Sequence, residues 1–374
     1  MDIKKISPKE FDLLKEEWNR LLSRSRSDNV FLRWEWIHTW WDVFNKKRSQ
    51  FILTVREEGR LVGVAPFYIE RTGVLGRRSI KLCSDELSPD GLDVFAEKGR
   101  EKEVMRRVWS HVVDHASDWD VIVWDHLQKE AILLEESSVP GGYDHAAHSS
   151  VNCPYVKMIG DFDGYIRSRP HLKKFSLKKK AKQLFEVEHV TYKNVEDEAS
   201  LAQALQGLFL LHDKRAKEKK IRTMFTSEDV KRFHNQLSRL FLQENILRLQ
   251  LLYDGEKAVS AIYSFKYKNK IYCYQSGMDP DWKRLSAGMA LFSLAIERAF
   301  AEGLAEFDFL KGDEGYKSLW CDAVRQETRL VVYNKSWRGS LASATSKIKA
   351  VLRRVKHAFD GFQPAWSPAR NSLK

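Results

Sequence analysis

The order in which turn signals, alternating stretches and helical stripes follow one another recurs in the two halves of this chain. That recurrence limits the possible fold more than any single motif does. In the first half, a hairpin is predicted from 51–56 and 61–70, closed by Glu58-Gly59, with β-branched residues in both arms. A strand near Ile80, a loop rich in Ser, Asp, Pro and Gly at 84–91, a helix over 101–116, a strand over 120–124 and a short helix after Gln128 follow. Roughly two hundred residues later the order returns. A hairpin is predicted over 247–253 and 257–267 about Asp254-Gly255, then a strand over 270–278, an amphipathic helix over 286–302, strands at 306–310 and 327–333, and a short helix near Tyr316 between them. The expectation is a pair of tandem α/β domains, each a mixed sheet flanked by helices, with boundaries at 1–158 and 159–334.

Before the first hairpin lie a helical region at 8–24 and a run of Trp34, Trp36, Trp40 and Trp41 at helical spacing, which reads as core. Helices are also expected over 198–219 and 228–243. Composition fits a folded globular chain: of 374 residues, 43% are apolar and 30% charged, which excludes collagenous and wholly disordered classes. No apolar run reaches the ~18 residues of a membrane span, and the charged start Met1-Asp2-Ile3-Lys4-Lys5 lacks a signal core, so the expected location is the cytoplasm. The formal charge of +12 favours an anionic partner.

Metal chemistry is not expected. Cys83, Cys153, Cys273 and Cys321 show no C-x-x-C spacing. His111 and His115 sit one helical turn apart on the face of Val104 and Val108 with no evident third ligand, and Asp144, His145 and His148 fall in a Gly/Ser/His loop. No phosphate-binding G-x-x-x-x-G-K-[ST] stretch and no serine nucleophile elbow occur.

The sharpest local signal is the run from Asp279 to Ala290. A strand ends, Ser286 offers an N-cap, and Met289, Phe292, Ala295, Ile296 and Ala299 continue at helical spacing. Unpaired N–H groups of a first helical turn, small residues at Ala287 and Gly288, and nearby Arg284 would suit a pyrophosphate. An ordinary capped helix is the alternative. The corresponding stretch of the first half, 87–100, places Asp93, Glu97 and Glu101 near its helix and is expected not to bind a cofactor.

The sequence Leu211-His212-Asp213-Lys214-Arg215, then Tyr274-Gln275-Ser276-Gly277-Met278-Asp279-Pro280, Ser286-Ala287-Gly288, and Phe307-Asp308-Phe309-Leu310-Lys311-Gly312-Asp313-Glu314-Gly315-Tyr316-Lys317-Ser318-Leu319-Trp320, resembles the CelD-like branch of the GNAT acyltransferase superfamily. Trp40-Trp41 and Gly63-Val64-Ala65-Pro66-Phe67 extend the likeness into the first half. The resemblance implies paired GNAT folds related to the FemAB aminoacyl transferases, and N-acyl transfer from acetyl-CoA or another acyl-CoA to an amine. It also suggests an amino-sugar or exopolysaccharide precursor as acceptor. Its pyrophosphate signature, Arg/Gln-x-x-Gly-x-Gly/Ala, is matched by Arg284, Gly288 and Ala290 with one extra residue before the first Gly.

On that basis the cofactor-binding candidates are Arg284, Ser286, Ala287, Gly288 and Met289, with Ser276 and Gly277 at the end of a splayed strand. Acyl transfer needs a neutral amine, donors for the developing oxyanion and a proton for the departing thiolate. The candidates are His212, Asp308, Glu314 and Tyr316, with Lys317 as a charge. Each has a structural alternative: a core histidine, a carboxylate capping the next turn, a solvated 311–317 turn.

Two basic segments remain. Residues 164–183 hold eight Lys or Arg (Arg167, Arg169, Lys173, Lys174, Lys178, Lys179, Lys180, Lys182) and no acid, while Leu172, Phe175 and Leu184 keep an apolar thread. They read as a solvated face or as attraction for an anionic acceptor; tRNA is the one nucleic acid considered, on a FemAB-like reading. From Lys335 to Lys356 there are seven basic residues and no acid, interleaved with Trp337, Leu341, Ile348, Val351, Leu352 and Val355. This 335–374 appendage could contact an anionic membrane or dock on its own protein. A GNAT-derived scaffold of a polysaccharide synthase is the non-enzymatic alternative.

Overall fold

The computed structural model describes residues 1–87, 89–135, 139–173, 177–187, 189–312 and 314–360. Lys174, Phe175, Asp313 and 361–374 lie outside the described residues, as do the side chains of Lys173, Lys178, Lys179 and those from 353 onward.

Among the described residues thirteen strands form one mixed sheet: β1 (Asp2–Lys5), β2 (Arg48–Glu57), β3 (Arg60–Thr72), β4 (Arg77–Leu82), β5 (Phe95–Ala96), β6 (Val121–Gln128), β7 (Asp144–Lys157), β8 (Thr191–Asn194), β9 (Leu247–Asp254), β10 (Lys257–Tyr267), β11 (Lys270–Met278), β12 (Glu306–Asp308) and β13 (Ala323–Tyr333). The spatial order is β1-β2-β3-β4-β6-β13-β7-β12-β11-β10-β9-β8, with β5 on β3. Read inward from either edge, the two halves repeat: an edge strand, a hairpin, a third antiparallel strand, then a strand parallel to it. In each half that parallel ladder is three pairs long, Ser79↔Val121 to Lys81↔Val123 and Lys270↔Glu306 to Tyr272↔Asp308.

The last strand of each half is exchanged. β13 pairs with β6, β7 pairs with β12, and the two pair antiparallel with each other at the seam. The expected loop at Asp144, His145 and His148 is therefore corrected: these residues open β7, because a partner strand supplies the ladder that their own weak β-propensity does not. Strands β1 and β8 likewise exist only as edge additions to the hairpins.

The hairpin turns follow local chemistry. Glu58 (φ 51°) and Gly59 (φ 80°) are both left-handed, as a two-residue turn matched to sheet twist requires. In the second hairpin Asp254 pairs with Lys257, so the turn is Gly255-Glu256, one residue later than expected.

Alternation along the strands splits the core in two. Tyr263, Phe265, Tyr272 and Tyr274 join a large cluster with Trp18, Trp36 and Trp40. Ile262, Ile271 and Cys273 point the other way, toward the helix Ala287–Ala301 and toward Phe307, Phe309 and Trp320. Each fully buried Trp is worth roughly 2–3 kcal/mol of transfer free energy, and each indole N–H of the first group finds an acceptor: Leu32 O, Ser84 Oγ or Glu86 Oε1. Helices Trp34–Phe44, Glu198–Lys219 and Glu228–Gln243 belong to the first layer. Among the described residues no helix is long and apolar enough to cross a membrane.

Candidate active site at the parted strands

The ladder between β11 and β12 stops at Tyr272↔Asp308, yet β11 continues to Met278. From Cys273 onward β11 has no partner on that side among the described residues, so two parallel strands part and leave a gap in the sheet. A bulge sits at the same point: Ser264 pairs with Cys273 but Tyr263 with Gln275, leaving Tyr274 as the extra residue. One extra residue reverses the side-chain alternation. Beyond the bulge, Gly277 turns toward the helix Glu198–Lys219, while Ser276 and Met278 turn toward the helix Ala287–Ala301.

Several of the sequence-predicted residues meet on the latter face. Tyr316 stacks on Phe292 at 5.3 Å and 29°, and its phenol lies 3.3 Å from Ser276 Oγ, spanning the gap. Burial raises the Tyr316 phenol above its ordinary range. The N–H of Gly288, in the first turn of Ala287–Ala301, has as its acceptor among the described residues the Met278 thioether, 3.3 Å away. A thioether is a weak acceptor. This terminus therefore fits an anionic group: an amide without a strong partner, at the positive end of a helix. Ala287 is buried, Met289 half-buried and Arg284 exposed.

Ser286 departs from expectation. It is left-handed (φ 54°) and makes no side-chain cap; its Oγ instead accepts from Lys180 Nζ at 2.6 Å. The lysine-rich segment thus delivers one cation to the helix terminus, which spacing alone did not reveal.

His212 and Asp308 lie on the other face. His212 is 5% exposed, edge-on to Phe225, and its Nε2 has no hydrogen-bond partner among the described residues. Burial, aided by Arg215, pulls its pKa down to about 4. It borders the gap: a Cβ on Gly277 would sit 2.8 Å from Leu211 Cβ and 3.6 Å from His212 Cδ2. Asp308 accepts from Leu310 N at 2.8 Å, Arg325 Nη1 at 2.7 Å and Lys270 Nζ at 2.6 Å. Its acceptor directions are taken, so the geometry is that of a strut tying β12 to β11 and β13.

Of the 311–317 turn, Glu314 and Gly315 are exposed while the Lys317 side chain folds inward. Lys317, 6% exposed, donates to Lys311 O at 2.7 Å and faces Glu314 Oε2 at 3.0 Å. Gly312 (φ 128°) permits this closure, since a Cβ there would lie 2.2 Å from Glu314 Oε2. Burial pulls the Glu314 carboxyl upward, but the charge and hydrogen bond of Lys317 outweigh it and hold it below the usual range.

A second polar group forms at the seam from residues that local sequence did not connect. His126 Nδ1 is 3.0 Å from Glu327 Oε2 and 2.8 Å from Lys311 Nζ. Asp90 lies 4.0 Å from Lys311 Nζ, and both its carboxylate oxygens are buried without a hydrogen-bond partner among the described residues. Burial, then Glu327, raises Asp90; burial lowers Lys311. One ligand atom each from Asp90, Cys153 and Glu327 lies within 4.8 Å of the others, the one such metal-compatible group among the described residues. Lys311 already places a cation beside it. His111 and His115 stack on each other at 4.1 Å and form no such group. Over the seam opens a polar cleft of about 910 Å³, bordered by Asp28, Gln128, Tyr155, Lys270 and Arg325.

Residues 173–318 match the family described as acetyltransferase (GNAT) domain. The crystal structure of FemX superposes on 88% of this chain and 97% of its own with TM-score 0.59 at 10% identity. A conserved protein of unknown function from Bacteroides thetaiotaomicron covers 89% of this chain and 99% of its own, with TM-score 0.52 and 10% identity. No curated protein matches the chain. The architecture is a tandem GNAT-like α/β fold, and the match to the acetyltransferase (GNAT) domain family falls on its second half, at residues 173–318.

Proposed function

We propose that this chain transfers an acyl group from an acyl-CoA, acetyl-CoA in the simplest case, to an amine. The parting of β11 and β12 beside the helix Ala287–Ala301 carries the reading, with Tyr316 and Ser276 bridging the gap. The Gly288 amide, Lys180 and Arg284 would hold a diphosphate, and the β11 amides beyond Tyr274 would face a thioester carbonyl. When bound, acyl-CoA supplies the activated carbonyl.

In the transfer, the amine nitrogen bonds to the carbonyl carbon and the carbon–sulfur bond breaks. Tyr316, kept as a phenol by its burial, gives its proton to the departing sulfur and regains one from solvent. His212, neutral near pH 7, borders the gap at Gly277 as a positioning residue, and the proton the amine sheds leaves to solvent. Lys317 and Glu314 hold the turn that carries Tyr316, and Asp308 fixes the strand before it.

Functionally we divide the chain into 1–158, 159–334 and the 335–374 appendage, with the acceptor in the cleft over the seam. Within the first half Asp93 is committed to Ile132 N, Leu133 N and Ser27 Oγ, which supports assigning the donor to the second half alone. An amino-sugar or exopolysaccharide precursor, and a CelD-like role, are the acceptor assignments that agree with a cleft bordered by Lys270 and Arg325. The superposition on FemX favours one alternative, aminoacyl transfer from tRNA.

The test is thiol release from acetyl-CoA across a panel of amino sugars and amines, beside a binding assay with aminoacyl-tRNA. Amine-dependent thiol release is expected, with Tyr316→Phe lowering kcat at least about a hundredfold. Tight aminoacyl-tRNA binding without thiol release would replace this reading with the alternative.

A further inference from the structure

The helix Trp337–Asp360 is mounted with its amphipathic sense inverted. Its inward residues are small: Gly339 is buried, Ala342 and Ser346 are half-buried, and Ser343 is buried with its hydroxyl donating to Asp144. Gly339 is needed there, since a Cβ would lie 2.2 Å from Asn334 O and 2.7 Å from Asp120 O. Ala342 packs on Val121, Val123 and Tyr333. Lys347 adds an ion pair to Asp144 at 2.7 Å.

The apolar residues point away from the protein. Trp337 (60% exposed), Leu341, Ile348 (61%), Val351 and Leu352 are all open to solvent. At ~100° per residue they form one stripe, on the opposite side of the helix from Gly339, Ala342, Ser343 and Ser346. The β3–β4 hairpin joins them. Its tip residues Val74 (106% exposed) and Leu75 are uncovered, and Arg338 Nε ties the helix to Leu75 O at 2.9 Å.

Charge selects what covers this surface. Arg338 and Lys349 border one side of the stripe and Lys347 the other, within a segment that has no acid from Lys335 to Lys356. The hairpin adds exposed Arg71 and Arg77. A second copy would set like charges against each other, whereas an anionic bilayer surface offers both a hydrocarbon boundary for the stripe and counter-charge for its flanks.

We propose that Trp337–Asp360, with the 73–76 hairpin tip, seats this protein on the surface of an anionic membrane, the helix lying in the interface plane. The inference is independent of the proposed transfer chemistry.

The test uses the full-length chain and sedimentation with vesicles of phosphatidylcholine, with and without phosphatidylglycerol. Binding is expected only when phosphatidylglycerol is present and is expected to weaken with salt. The double variant Trp337→Ser/Ile348→Ser keeps every charge and should bind at least about tenfold more weakly, with an unchanged thermal unfolding temperature, because both side chains are exposed. Three results would overturn the proposal: no sedimentation with anionic vesicles at low salt, equal binding by parent and double variant, or a solution dimer that the double variant dissolves.

Discussion

Two imidazoles buried in the layer of Trp36, Phe225 and Tyr274 set an acid limit on this fold that can be calculated. His234 is fully buried; its Nδ1 lies 3.3 Å from Tyr263 OH and its Nε2 has no partner among the described residues. Burial, with the charge of His212 adding, pulls its pKa down to about 3; His212 stands at about 4. Unfolded, both would titrate near 6.5. Below that value the unfolded chain binds protons that the folded chain refuses, so stability is full above pH ~6.5 and falls as pH drops toward the folded values. Each group then costs up to about 1.4 kcal/mol per pH unit, or roughly 2 kcal/mol between pH 7 and 5. Against a typical total of 5–15 kcal/mol, the pair removes a large share. Replacing His234 by Leu abolishes one of the two titrations, and every other ionisable group is common to both chains. Urea unfolding followed by tryptophan fluorescence at pH 7 and pH 5 should therefore show the variant losing about 2 kcal/mol less than the parent. Equal losses in the two proteins would refute the assignment of a neutral, solvent-excluded His234.

Three further outcomes follow from contacts at the gap. Gly277→Ala places a methyl 2.8 Å from Leu211 Cβ, and denaturant unfolding should register a loss of about 1–3 kcal/mol as the helix shifts. Arg325→Met leaves Asp308 with Lys270 and Leu310 N alone, and a loss of about 1–3 kcal/mol is expected by the same measurement. Steady-state kinetics of Tyr316→Phe should show kcat falling while KM for the acyl donor holds, because the phenol's proton is used only as the sulfur leaves.

Local patterns carried the hairpins, the helices over Glu198–Lys219 and Glu228–Gln243, and the repeat of element order, since each rests on spacing within one segment. The exchanged strands did not follow from such patterns. Asp144, His145 and His148 carry turn-forming neighbours, and only pairing with β13 extends them. The seam group was invisible for a similar reason: His126 reaches Lys311 and Glu327 across 185 and 201 residues. At the gap, residue types were legible but directions were not. One extra residue at Tyr274 decides that Ser276 faces Tyr316 and Gly277 faces Leu211, and the left-handed backbone of Ser286 sends its hydroxyl to Lys180 and away from the helix it precedes.

Titration calorimetry with acetyl-CoA on the parent chain and on Gly288→Glu tests the donor site most directly. The account predicts binding by the parent and none by the variant, whose carboxylate would bring like charge and bulk to the first turn of Ala287–Ala301. Absence of binding by the parent, or undiminished binding by Gly288→Glu, would contradict it.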